Sequence, residues 1–92
     1  MIIKNVYCRE FSKIDNIQKR KTVNYNICEV NNGVSKIYGI NISEIKMNEM
    51  KEKTVENISS NYYKVSNILQ FLYENSIGIV SFKDIIEDLL NE

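Results

Sequence analysis

A chain of 92 residues with no net formal charge, 43% hydrophobic and 26% charged side chains has the make-up of one ordinary globular domain, not of a disordered or collagen-like chain or of two separate cores. No window approaches the roughly 18 consecutive apolar residues of a membrane span. MIIKNVYCRE lacks the long apolar segment of a secretion signal, so the expected location is the cytosol.

The charge is unevenly placed. Residues 1–46 hold eight Lys or Arg and four Asp or Glu, and residues 47–92 hold four and eight, which makes the halves +4 and −4. Such a division suits a basic half that meets a polyanion, two attracting parts of one domain, or two copies meeting head to tail. The abundance of Ile, Asn and Lys reads as AT-rich coding and carries no chemistry by itself.

The first segment, IIKNVYCREF, has strand composition with an ambiguous phase: Ile2, Val6 and Cys8 share one face, and Ile3, Tyr7 and Phe11 the other. SKIDNIQKRK follows as a loop or wide hairpin tip carrying Lys19, Arg20 and Lys21. In TVNYNICEV, Val23, Tyr25 and Ile27 alternate with Thr22, Asn24 and Asn26, the pattern of a half-buried strand. Asn31-Asn32-Gly33 then signals a hairpin, with Asn-Gly supplying the positive φ of a type I′ turn. VSKIYGINISEI resumes the alternation, with Tyr38, Ile40 and Ile42 on one face. KMNEMKE reads as a polar turn, and EKTVENI, Glu52 to Ile58, as a fourth strand.

Near Ser59 the period becomes helical. Ser60 stands as an N-cap, and Val65, Ile68, Leu69 and Leu72 fall at i, i+3, i+4 and i+7 of a helix from about Asn61 to Glu74, flanked by Phe71, Tyr62 and Tyr63. NSIGIVS forms the joint, with Ile77 and Ile79 expected to plug the core. Ser81 caps a second helix, with Asp84 three residues on. Phe82, Ile85, Ile86, Leu89 and Leu90 make its apolar stripe. The expected architecture is α+β: an antiparallel meander of three to four strands (1–58) with two C-terminal helices (59–92) packed on one face, all in one domain.

YGI at Tyr38 to Ile40, VENIS at Val55 to Ser59, KVSNILQFLYEN at Lys64 to Asn75 and DIIEDLL at Asp84 to Leu90 resemble a family of small uncharacterised cytosolic proteins of Gram-positive spore-forming anaerobes. The resemblance covers about residues 36–91. Related chains tend to carry proline ahead of the last helix, where this one has Gly78 to Val80. The resemblance implies the order of elements and the helical joint, and no catalytic residues.

Without histidine, Ser/His and Cys/His nucleophile pairs and mixed Cys/His zinc sites are excluded. Cys8 and Cys28 read as small side chains on neighbouring strands and not as a redox pair. Asp84, Glu87, Asp88 and Glu92 read as a solvated helix face, and Gly33, Gly39 and Gly78 stand too far apart for a phosphate cradle. The expectation is therefore a non-enzymatic protein-interaction module without metal or cofactor. It would be a small regulator or inhibitor that covers a partner protein's site, of the kind mobile elements encode, with a homodimer as the nearest variant. Its candidate contact residues are Tyr7, Tyr25, Tyr38, Tyr62 and Tyr63 with Lys19, Arg20 and Lys21. The alternative is a nucleic-acid-binding accessory protein using the basic amino-terminal half.

Overall fold

The computed structural model describes residues 1–11 and 20–91. Its elements are β1 (Ile2–Phe11), β2 (Lys21–Asn31), β3 (Lys36–Lys46), β4 (Glu49–Ser59), α1 (Tyr62–Glu74) and α2 (Phe82–Leu90). The four strands form one antiparallel sheet in the order β1-β2-β3-β4. This is the α+β meander with two C-terminal helices that the hydrophobic periods describe.

The alternation in β2 and β3 decides which face is covered. Tyr25 lies opposite Ile42, and Ile27 opposite Ile40. With Val23 these side chains join Val65, Leu69 and Leu72 of α1, Ile79 of the joint, and Phe82 and Ile86 of α2 in one core. Burying each such side chain contributes about 1.5–3 kcal/mol. Helices of 13 and 9 residues are marginal alone in water, so the sheet is what keeps them helical.

The phase of β1 is settled by a bulge. Asn5 pairs with Asn26 and Tyr7 with Tyr25, leaving Val6 as the extra residue. Ile2, Lys4, Tyr7, Arg9 and Phe11 therefore share the helix face, and Ile3, Asn5 and Cys8 share the open face. A strict period of two cannot produce either set. Cys8 lies opposite Asn24 and is exposed, whereas Cys28 lies opposite Ile3 and is buried. Burial pushes the Cys28 thiol above its ordinary pKa, partly offset by the Gly39 backbone hydrogen bond.

The two hairpin turns within the described residues, β2–β3 and β3–β4, differ from the expectation. After Asn31 the chain makes a four-residue loop, in which Asn31 Oδ1 accepts from Gly33 N at 2.9 Å and Asn32 Oδ1 accepts from Ser35 N at 2.9 Å. Only Gly33 there has positive φ, at 90°. The two-residue turn is instead Met47-Asn48, both at positive φ (53° and 65°), between the paired residues Lys46 and Glu49. KMNEMKE is thus mostly strand, and β4 begins at Glu49.

The helix caps shift too. Asn61, not Ser60, caps α1, its Oδ1 accepting from Tyr63 N at 3.0 Å and Lys64 N at 3.3 Å. Ser81 occupies the N-cap position of α2 but its side chain makes no capping bond. Asp84 still places a carboxylate in the first turn, where the helix dipole favours it. Ile77 is half-buried and Ile79 buried, so the joint does plug the core.

Candidate functional site

The tyrosines divide into two groups. Tyr25 is 0% exposed, and its hydroxyl donates to Ile77 O at 2.8 Å. It is a core residue that ties β2 to the helical joint, which corrects its place among the candidate contacts. Tyr7 is half-buried and stacks on Tyr73 of α1, with centroids 4.5 Å apart and planes inclined by 13°. The Arg9 guanidinium lies 4.4 Å from the same Tyr73 ring, and its Nη2 donates to Tyr73 O at 3.0 Å. Tyr7 and Arg9 together hold the last turn of α1 on the sheet.

Tyr38, Tyr62 and Tyr63 are brought together at the opposite end. Tyr38 and Tyr62 meet edge to face at 5.3 Å, and Tyr62 and Tyr63 at 5.8 Å. The row runs from the sheet outward, so that Tyr62 is 42% and Tyr63 77% exposed. Tyr38 and Tyr62 of this row line one wall of a groove of about 320 Å³ shared with Lys4, Asn5, Val6, Ile27 and Glu29, while Tyr63 lies beyond that lining. The other wall is the edge strand β1, whose Ile2 and Val6 are exposed. Glu29 is paired with Lys36 at 3.7 Å, while among the described residues Lys4 has no ion-pair partner.

The basic cluster is not part of this groove. Lys19 lies outside the described residues, as do residues 12–18 before it and Glu92. Arg20 is exposed. Lys21 lies opposite Phe11 and Lys46 at the far end of β2, with its Nζ 4.9 Å from the Phe11 ring centroid. Lys46 in turn lies opposite Glu49, and Lys51 opposite Glu44, so cations and carboxylates alternate there.

The open face carries a feature that the composition concealed. Register places Asn5, Asn26, Asn41 and Thr54 side by side, one from each strand. Asn5 Nδ2 donates to Asn26 Oδ1, Asn26 Nδ2 to Asn41 Oδ1 and Asn41 Nδ2 to Thr54 Oγ1, each at 2.8 Å. Asn26 and Asn41 are buried, at 6% and 1% exposure, and the ladder satisfies their polar groups. Alternation alone marks Asn24 and Asn26 as polar-face residues. The row itself depends on register across three hairpins.

Among the described residues no group of three Cys, Asp or Glu is placed to hold a metal ion, and no helix is long and apolar enough to cross a membrane. Fold and site thus define a small α+β protein with an exposed aromatic groove and, across the other face of the sheet, a polar ladder whose two central residues are buried. The chain belongs to the family of unknown function DUF6514, whose model matches residues 4–92. The match takes in β1 and β2 as well as the region from residue 36 onward. No curated protein and no solved structure matches the chain.

Proposed function

We propose that this protein is a non-enzymatic, cytoplasmic interaction module. In this reading it is a small regulator or inhibitor that covers a site on a partner protein, of the kind mobile elements encode in Gram-positive spore-forming anaerobes. The observation that carries the reading is the outward row Tyr38-Tyr62-Tyr63 beside the exposed Ile2 and Val6. Tyrosine supplies large amphipathic contact area at low entropic cost, which is why it concentrates in binding hot spots. The matching occupant is a protein segment with an apolar anchor for the groove and a carboxylate for Lys4.

The test has two steps. A partner recovered by affinity capture is purified and its affinity for the wild-type chain is measured. The double variant Tyr62→Ala, Tyr63→Ala is then expected to weaken it about 30-fold with an unchanged melting temperature. Equal affinity of the variant, or the absence of any protein partner, rejects the reading. Salt-dependent binding of single-stranded or duplex nucleic acid that is lost on replacing Arg20 and Lys21 by Glu would establish the alternative instead.

A further inference from the structure

The Asn5-Asn26-Asn41-Thr54 ladder has a direction and, among the described residues, two unused ends. Asn5 Nδ2 donates to Tyr7 O at 3.2 Å as well as to Asn26 Oδ1. Reversing the Asn5 amide would set its oxygen against the Tyr7 carbonyl, so that contact fixes the amide. Each following amide is then obliged to donate toward β4. The row therefore begins at the β1 edge with Asn5 Oδ1, which accepts no bond among the described residues. It ends at the β4 edge with Thr54, whose hydroxyl oxygen accepts from Asn41 and whose proton no described residue takes up. Both end residues are exposed, while the two middle ones are buried.

The two edges are complementary in three respects. One offers an acceptor and the other a donor. Four successive antiparallel strands leave β1 and β4 running in opposite directions, so a translated second copy can set its β1 antiparallel to β4. β1 contains two cations and one anion (Lys4, Arg9, Glu10), a balance of +1, and β4 two cations and three anions (Lys51, Lys53, Glu49, Glu52, Glu56), a balance of −1. The same opposition holds at larger scale, because β1 belongs to the +4 half and β4 to the −4 half.

We infer that the chain associates head to tail with copies of itself, the β4 edge of one copy pairing with the β1 edge of the next so that the Thr54 hydroxyl donates to Asn5 Oδ1 and the ladder continues across the joint. An exposed strand edge is a ready template for such pairing, and a heterologous joint leaves both ends of the assembly open. The joint takes up the β1 edge, which also lines the aromatic groove through Lys4, Asn5 and Val6, so the two contacts share that strand; self-association is measured on the chain alone and does not depend on the proposed partner.

Sedimentation velocity from micromolar to millimolar concentration is the test, with amide hydrogen exchange on the same samples. The expected result is a mass that rises with concentration past two copies. Exchange protection is expected to grow with it at both edges, around Asn5 in β1 and around Thr54 in β4. Thr54→Val, near isosteric but without the donor, should lower the association constant about tenfold, whereas Thr54→Ser should stay within about twofold. Exchange on the unmodified chain keeps the test decisive should Thr54→Val lose the fold. A monomer at millimolar concentration overturns the proposal. So does association that stops at a pair with protection at one edge only, or a folded Thr54→Val that associates like the wild type.

Discussion

At Gly39 the backbone of β4 occupies the place where a side chain would stand. A Cβ there would meet the Val55 carbonyl oxygen, the Glu56 Cα at 2.9 Å and the Cys28 Sγ at 2.9 Å. Two of these three are backbone and cannot swing aside. The register irregularity between Tyr38 and Ile40, with Asn57 at φ 58°, is the same event seen from β4. β4 bends across the open face at this point, which needs a residue without a side chain beneath it. Gly39→Ala is expected to destabilise the protein by about 3 kcal/mol or more, measured by urea unfolding. Gly78→Ala is the matched control, since nothing lies within 4 Å of a Cβ at that site, and its stability should stay within about 0.5 kcal/mol of wild type.

At the scale of elements, the covered face was legible because burial imposes its own period. Val23, Tyr25, Ile27, Ile40 and Ile42 on the sheet, and Val65, Leu69 and Leu72 on α1, stand where alternation and the i, i+3, i+4, i+7 pattern put them. The turns were not, because turn chemistry is a statistical preference that register can override. Asn32-Gly33 has the favoured dipeptide but sits in a four-residue loop, whereas Met47-Asn48 takes the two-residue turn with an unbranched apolar residue at φ 53°. A left-handed conformation costs such a residue about 1–2 kcal/mol. Met47→Asn should recover about 0.5–1 kcal/mol of this, seen as a melting temperature higher by about 4 °C; an unchanged or lower value would show that another Met47 contact outweighs the strain. The ladder and groove were illegible for a related reason. Asn5, Asn26, Asn41 and Thr54, or Lys4, Tyr38 and Tyr62, are distant in sequence and become neighbours only once three registers and one bulge are set. Tyr62 and Tyr63 were identifiable as helix-flanking aromatics, but their partnership with Tyr38 was not.

At the scale of the whole molecule, Tyr25 joins the two layers, because its ring lies in the core and its hydroxyl donates to Ile77 O in the joint between the helices. Burial pushes its pKa above the ordinary 10.0; the Arg9 charge pulls it back, and Tyr73 and Glu44 push it further up. An acid whose folded pKa is raised stabilises the fold fully below its unfolded pKa and loses that contribution as pH climbs through the folded value, because over that window the native state holds the proton that the unfolded state has released. The Tyr25 contribution to unfolding free energy should therefore decline from about pH 10 upward, on top of a Cys28 contribution that begins to decline near pH 9. Tyr25→Phe should lose about 1 kcal/mol at neutral pH, since Ile77 O loses its donor, yet show a shallower alkaline decline, so that the two unfolding curves converge as pH rises. Parallel curves from neutral to about pH 11 would mean that the alkaline loss arises elsewhere and that the sheet and the joint are held together without the Tyr25 proton.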